Sequence, residues 1–336
     1  MMVIIIITSI IYLAPVDPAQ LSFGQRADVA TVDAKRKELG LDQPLYVQML
    51  MYLRDVSPIA IHEDSPANQE KYNYTKLIPL AGKALVVKKP YLRSSFQSGA
   101  DVSDILWEAI PKTAILALTA ILFATFIGIF LGIIAAVKQH SFFDNSAVVT
   151  SVLGYSLPSY VTAILLALVF GYLLADYTGL NIKGSIIELD DFGDKQYVWK
   201  NLLLPAIALG IRPVAIITQL TRSAMLDVLS QDYIRTAKAK GLSFYKVVFK
   251  HALRNAMNPV VTAVSGWFAA LLAGAFFVEN VFSFKGLGDV TVTALLNFDI
   301  PVVLGAVLFT ACLFVVINIL VDLLYAFLDP RIRVGG

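Results

Sequence analysis

Five long apolar blocks decide what this chain can be. They cover residues 113–137, 145–175, 201–221, 256–278 and 300–321. Each reaches the roughly 20 residues that a helix needs to cross about 30 Å of hydrocarbon. Backbone N–H and C=O groups find no water in the bilayer core and must pair within their own segment, so each block reads as a helix. The 336 residues are 57% hydrophobic and only 15% charged, where a soluble domain carries about 25% charge. The expected fold class is an all-α integral membrane protein, a bundle of about six transmembrane helices.

The sixth helix is the incomplete one. Val3 to Ala14 supplies only about a dozen apolar residues, against a range of about 17–25 for a span. A signal-peptide core is one reading, but a basic n-region is lacking and LAPVDP is a poor cleavage site. An interfacial segment is another. The reading preferred here is the end of a truncated first helix, since an even number of spans puts both termini on one side. That gives three regions: 1–14 as a partial helix, 15–111 as a large extracytoplasmic segment, and 112–336 as the transmembrane domain.

Orientation follows the lysines and arginines near span ends. Arg222, Arg235, Lys238, Lys240, Lys246, Lys250 and Arg254 cluster between two apolar blocks, and Arg331 and Arg333 lie in the tail. The opposite loop, 176–200, holds Glu188, Asp190, Asp191 and Asp194. The basic side, with the short loop 138–144, is cytoplasmic. Long loops translocate regardless of charge, so 15–111 lies outside. Within it, 33–55 reads as an amphipathic helix pair split at Pro44, and 56–90 as turns or short strands. Tyr91 and Trp107 suit a membrane interface.

The basic island from Ser223 to Pro259 is structured. Ser230 can cap a helix with Asp232 in its first turn and Lys238 and Lys240 in its last, as the helix dipole prefers. Gly241 can take the left-handed position that ends a helix. Ser243 can then cap a second helix from Phe244, with Lys246, Lys250 and Arg254 as a basic stripe. Tyr233, Ile234 and Ala237 form a small apolar knob. Charge runs are usually solvated faces, but the turn chemistry and the apolar knob favour a docking element.

YIRTAKAKGLSFYKVVFKHALRNAMNPVV resembles the cytoplasmic loop of ATP-binding-cassette importer permeases. Gly241, Ala237 and Leu253 match the general importer pattern. Arg235, Thr236, His251 and Arg254 depart from it in the manner of the dipeptide/oligopeptide/nickel branch, first-permease type. LAPVDPAQ, LGLDQPLYVQ, ENVFSFKGLG and VDLLYAFLDPRIR resemble further stretches of that family, with Lys285 where proline is more usual.

The resemblance implies a permease subunit in the bacterial-type cytoplasmic (inner) membrane, moving peptides or similar small solutes by alternating access. Its implied partners are a second permease (the same or a related chain), two ATPase subunits, an extracytoplasmic substrate-binding protein and membrane lipid. ATP and magnesium would be used by the ATPases, with no cofactor in this chain. The coupling loop would be 223–255, with its contacts on Tyr233, Ile234, Arg235, Thr236, Ala237, Lys238, Lys240 and Gly241. Consistent with that division, the chain has no G-x-x-x-x-G-K-[ST] to cradle phosphates.

Other features carry less. Tyr155, Ser156, Pro158, Ser159 and Tyr160 in one span, and Ser265, Gly266 and Trp267 in another, either face a translocation cavity or pack helices. Arg212 lies mid-span and must face protein or water. Glu279 and Asp322 lie nearer span ends. Gly128 and Gly132 read as close helix packing, and the single Cys312 as a buried hydrophobe. His62-Glu63-Asp64 lacks metal-motif spacing, and the net charge of +2 gives no reason to expect nucleic acid. An ion-driven secondary transporter would need paired intramembrane carboxylates or broken-helix repeats. An enzyme would need a nucleophile–base or metal constellation. A third alternative is a scaffold that recruits a partner without transporting.

Overall fold

The computed structural model describes residues 36–37, 42–80, 82–190 and 192–328. They fall into two compact units, one within Met1–Ala109 and Val290–Thr310, the other within Ile110–Asp289 and Ala311–Gly336. The expected partial helix 1–14 and the C-terminal arginines lie outside the described residues.

In the first unit, α1 (Leu45–Val56) starts directly after Pro44, whose carbonyl accepts from Val47 and Gln48. Most of the preceding helix expected from 33 onward lies outside the described residues. Segment 56–90 forms strands, as its composition suggests. β1 (Ile59–Glu63), β2 (Thr75–Leu80) and β3 (Lys83–Val87) make an antiparallel sheet with β3 in the middle. Between β1 and β2 lies α2 (Pro66–Tyr72), a helix that the sequence pattern did not suggest. Its start signal was there: Ser65 accepts from the Asn68 N–H at 3.3 Å, and proline follows at the first helical position.

Ala84 and Val86 of β3 are buried with Tyr72 and Tyr74. His62 joins them, its ring 4.3 Å from that of Tyr72, while Asp64 turns away to pair with Lys76 at 2.6 Å. The His62-Glu63-Asp64 run therefore serves packing and a surface ion pair. Further on, buried Asp299 accepts from the Ser95 hydroxyl and from the Phe96 N–H at 2.9 Å, tying residues 95–97 to the turn before the last helix.

The five apolar blocks are all helical, yet only three are unbroken. α3 (Val102–Val137) has 36 residues, about 54 Å at 1.5 Å per residue. It begins well before the expected block and includes Pro111. α4 (Phe142–Ser156) and α5 (Ser159–Leu166), the latter continued by a π-helical turn over Ala167–Leu173, meet at 102°. The block 145–175 is therefore not one continuous rod. Pro158 is the cause: its ring pushes Leu157 out of the helical region, to ψ 130°. A hairpin of β4 (Ile187–Leu189) and β5 (Lys195–Tyr197) fills the acidic loop.

Next come α6 (Leu203–Leu229), which carries Pro213 without ending, α7 (Asp232–Ala239) and α8 (Arg254–Gly274). α8 and α9 (Phe276–Phe282) are bent by 59°, so block 256–278 is also broken. α10 (Leu287–Leu296) and α11 (Ile300–Leu328) complete the chain. Among the described residues, three helices can cross a membrane, or five if each bent pair is one span. Cys312 is exposed on α11 rather than buried, because a spanning helix can turn apolar residues toward lipid instead of a core.

Gly128 and Gly132 let α3 lie against α6. A Cβ at Gly132 would stand 2.5 Å from the Thr221 Cβ, and one at Gly128 2.7 Å from Ile217 Cγ2. Gly132→Val should destabilise the bundle by about 1–3 kcal/mol through overpacking. A lowered melting temperature in detergent would show it; an unchanged one would mean that the helices have room to separate.

His62 sets a pH limit on the sheet. Burial first, then the charges of Arg54 and Lys88, hold its pKa below the ordinary 6.5. The unfolded segment therefore takes up a proton that the folded one resists, and stability falls as pH drops below about 6.5. Limited proteolysis across residues 56–90 should speed up between pH 7 and 5, and His62→Phe should flatten that dependence.

Candidate functional site

The basic island forms helix, tight turn, helix. α7 ends in two hydrogen bonds: Gly241 N–H to the Lys238 carbonyl at 3.0 Å and Leu242 N–H to the Ala237 carbonyl at 3.3 Å. These are the paired closures of a Schellman turn, and Leu242 adds the apolar contact that accompanies it. Gly241 sits at φ +75°, and a Cβ there would meet nothing within 4 Å, so only backbone conformation demands glycine. The second helix starts at Phe244 and is wound as a π-helix over Lys246–Leu253, leaving Lys246, Lys250 and Arg254 exposed.

Two expectations need correcting. Ser230 does not cap α7. Its N–H and hydroxyl bond back to Leu226 and Asp227, closing α6, and Gln231 holds the cap position. Nor do Ile234 and Ala237 form a free knob. They are 0% and 7% exposed, packed with Ala136 of α3, Met225 of α6, and Val247, Val248, Ala252 and Ala256. An apolar pair on one helix face seeks its own chain's core first. The exposed face is Tyr233, Arg235, Thr236, Lys238 and Lys240, with the Asn255 amide donating to the Tyr233 hydroxyl at 2.9 Å. Exposed aromatics that the sequence pattern did not single out, Phe244, Tyr245 and Phe249, supply the apolar surface.

A second unforeseen feature braces the loop. Arg222, counted among the island's basic residues, grips buried Asp144 at the start of α4 through Nε and, at 2.9 Å, through Nη2. The His140 N–H adds a bond to the same carboxylate at 2.9 Å. This pair holds the 138–144 loop and the island at the same end of the helices, where charge asymmetry had placed both.

The suspected pathway residues divide. Tyr155 and Ser156 line a cavity of ≈ 230 Å³ with Val152, Ala215, Ile216 and Gln219. The Arg212 guanidinium stands over the Tyr155 ring at 5.3 Å. Pro158 makes the bend, with Ser159 beginning α5 behind it. On α8, Asn255, Asn258, Thr262 and Gly266 form an exposed face at helical spacing, bordered by Ser265, whose hydroxyl bonds the Val261 carbonyl. Trp267 packs against the core instead.

Comparison with known proteins shows the family. Residues 128–334 match the family model for the binding-protein-dependent transport system inner membrane component, and residues 1–117 match the corresponding N-terminal model. The chain belongs to this family of inner-membrane transport components. It is 37% identical to a putative peptide transport system permease protein of Brucella abortus, covering 99% of this chain and 95% of that one. It is 35% identical to the dipeptide transport system permease protein DppB of Escherichia coli K12, covering 96% and 91%. A chain of the MetNI methionine ABC transporter, solved in inward-facing conformations, superposes with a TM-score of 0.53 at 14% identity. It covers 68% of this chain and 97% of that one, a likeness of fold.

In this family member the ENVFSFKGLG stretch is a clasp. Glu279, which the sequence puts near a span end, is fully buried, and its Oε2 accepts from the Gly288 and Asp289 N–H groups at 2.8 and 3.2 Å. Leu287 N–H donates to Thr113 at 2.8 Å, fastening the turn to α3. At the other end of the helices, Asp144→Asn should lower the permease's stability by about 2–3 kcal/mol, since it leaves Arg222 without its charge partner. Thermal unfolding in detergent measures this. A shift no larger than that of a surface aspartate would show the pair to be incidental.

Proposed function

We propose that this chain is the membrane-spanning permease subunit of an ATP-driven importer for peptides, working by alternating access. A second permease completes the pathway, two ATPase subunits dock on the island, and an extracytoplasmic binding protein delivers cargo. ATP and magnesium are used by the ATPases, and this chain needs no cofactor and carries no catalytic residue. The peptide relatives and the absence of a phosphate-binding glycine loop support this division of labour.

The observation that carries the reading is the clamp on α7. With Ile234 and Ala237 buried against α3, α6 and the start of α8, the helix cannot move without moving the ends of those spans. Tyr233, Arg235, Thr236, Lys238 and Lys240 remain outward for an ATPase groove, flanked by Phe244 and Tyr245. Closure of the ATPases would push this rigid element and tilt the spans.

Gly241 tests the coupling. Valine at φ +75° costs about 1–2 kcal/mol or more in backbone strain, whereas asparagine tolerates the left-handed region. In proteoliposomes holding the assembled transporter, Gly241→Val should keep ATP hydrolysis but lose most peptide uptake, and Gly241→Asn should keep both. Full uptake by Gly241→Val would remove the role assigned to the turn. Wild-type uptake that ignores ATP and stops when ion gradients collapse would overturn the importer reading itself.

A further inference from the structure

Arg212 is a charge in the middle of a spanning helix that the coupling and packing described above leave unused. Its Nε is buried and has no hydrogen-bond partner among the described residues. The guanidinium lies against the face of the Tyr155 ring. A charged side chain at a helix centre is costly to insert, so such residues face water or protein and mark pathways.

The surroundings fit that role. Arg212, Ile216 and Gln219 lie at i, i+4 and i+7 on α6, hence on one face. Ile216 and Gln219 line the ≈ 230 Å³ cavity, opposite Tyr155 and Ser156 of α4. Gln219, Tyr155 and Ser156 are exposed in the isolated chain. A primary amide turned to lipid would have nothing to pair with, so this face meets water or another chain. The bend at Pro158 interrupts the wall beside it, and irregular backbone at membrane depth is tolerated where it lines a cavity.

We infer that Arg212, which stands beside the cavity between α4 and α6 against its lining residue Tyr155, is a substrate-binding residue of the pathway that receives the C-terminal carboxylate of a peptide held there. The inference rests on the peptide-importer reading. A guanidinium offers a forked set of donors that matches a carboxylate, and contact with the Tyr155 ring at 5.3 Å restrains it while using none of its N–H donors. Gln219 and Ser156 supply an amide and a hydroxyl for the adjoining peptide group. Side chains of differing size would project toward the open side of the cavity, so the site reads the one group that all linear peptides share.

The test compares a dipeptide with its C-terminal amide in proteoliposomes of the complete transporter. Affinity of the binding protein for each is measured separately, and uptake is expressed per loaded binding protein. Wild type should favour the free acid. Arg212→Gln should cut free-acid uptake about tenfold or more, the worth of a charge-assisted pair, and lower amide uptake far less, so discrimination collapses. Arg212→Lys should retain much of it. An equal fall for acid and amide would overturn the inference, as would failure of both variants to assemble with the second permease, which would make Arg212 an interface residue. If wild type carries neither form but imports another solute, the peptide reading itself fails.

Discussion

A peptide group inside hydrocarbon has no water to pair with, and the spanning region answers to that constraint throughout. It makes the five apolar blocks helical and fixes what happens where a helix cannot continue. At Leu157–Pro158 the proline removes an amide and displaces its neighbour, so the chain turns through 102°. Polar side chains gather next to that break: Tyr155 and Ser156 before it, Arg212 and Gln219 on the facing helix. Irregular backbone and polar lining at one depth are two consequences of the same rule, since both need a cavity that lipid does not fill.

The end of the bundle that carries the basic island is governed by burial. Placing Ile234 fully inside a cluster from three other helices contributes about 1.5–3 kcal/mol. More important for function, it removes the freedom of an eight-residue helix to move alone. The Schellman closure at Gly241 and the Asn255–Tyr233 bond fix its angle. The Asp144–Arg222 pair fixes the neighbouring loop. A force applied to the exposed face of α7 therefore reaches the spans as a push on packed side chains.

Some of this was legible in the residues. Gly241 could be assigned because a helix C-terminus is written locally, in the last basic turn and the glycine after it. Gly128 and Gly132 could be read as packing, since four-residue spacing puts them on one face, though nothing said that Ile217 and Thr221 would meet them. The short strands within 56–90 were foreseen, but the α2 helix was not, because its seven residues lack any apolar period. Ser230 illustrates the ambiguity of cap residues: the same hydroxyl can open one helix or close the previous one, and here it closes α6.

By itself the sequence determined the membrane class, the places of the five blocks and the helix–glycine–helix form of the island. These follow from hydropathy, charge and turn chemistry, which act over a few residues. Only the tertiary structure decided which face of α7 is buried, that Arg222 belongs to Asp144 rather than to a partner, and that Arg212 stands over Tyr155. Those outcomes join positions far apart in the chain, or hang on which of several apolar surfaces a helix meets first. Such long-range contacts are set by packing within the whole bundle, and no local pattern encodes them.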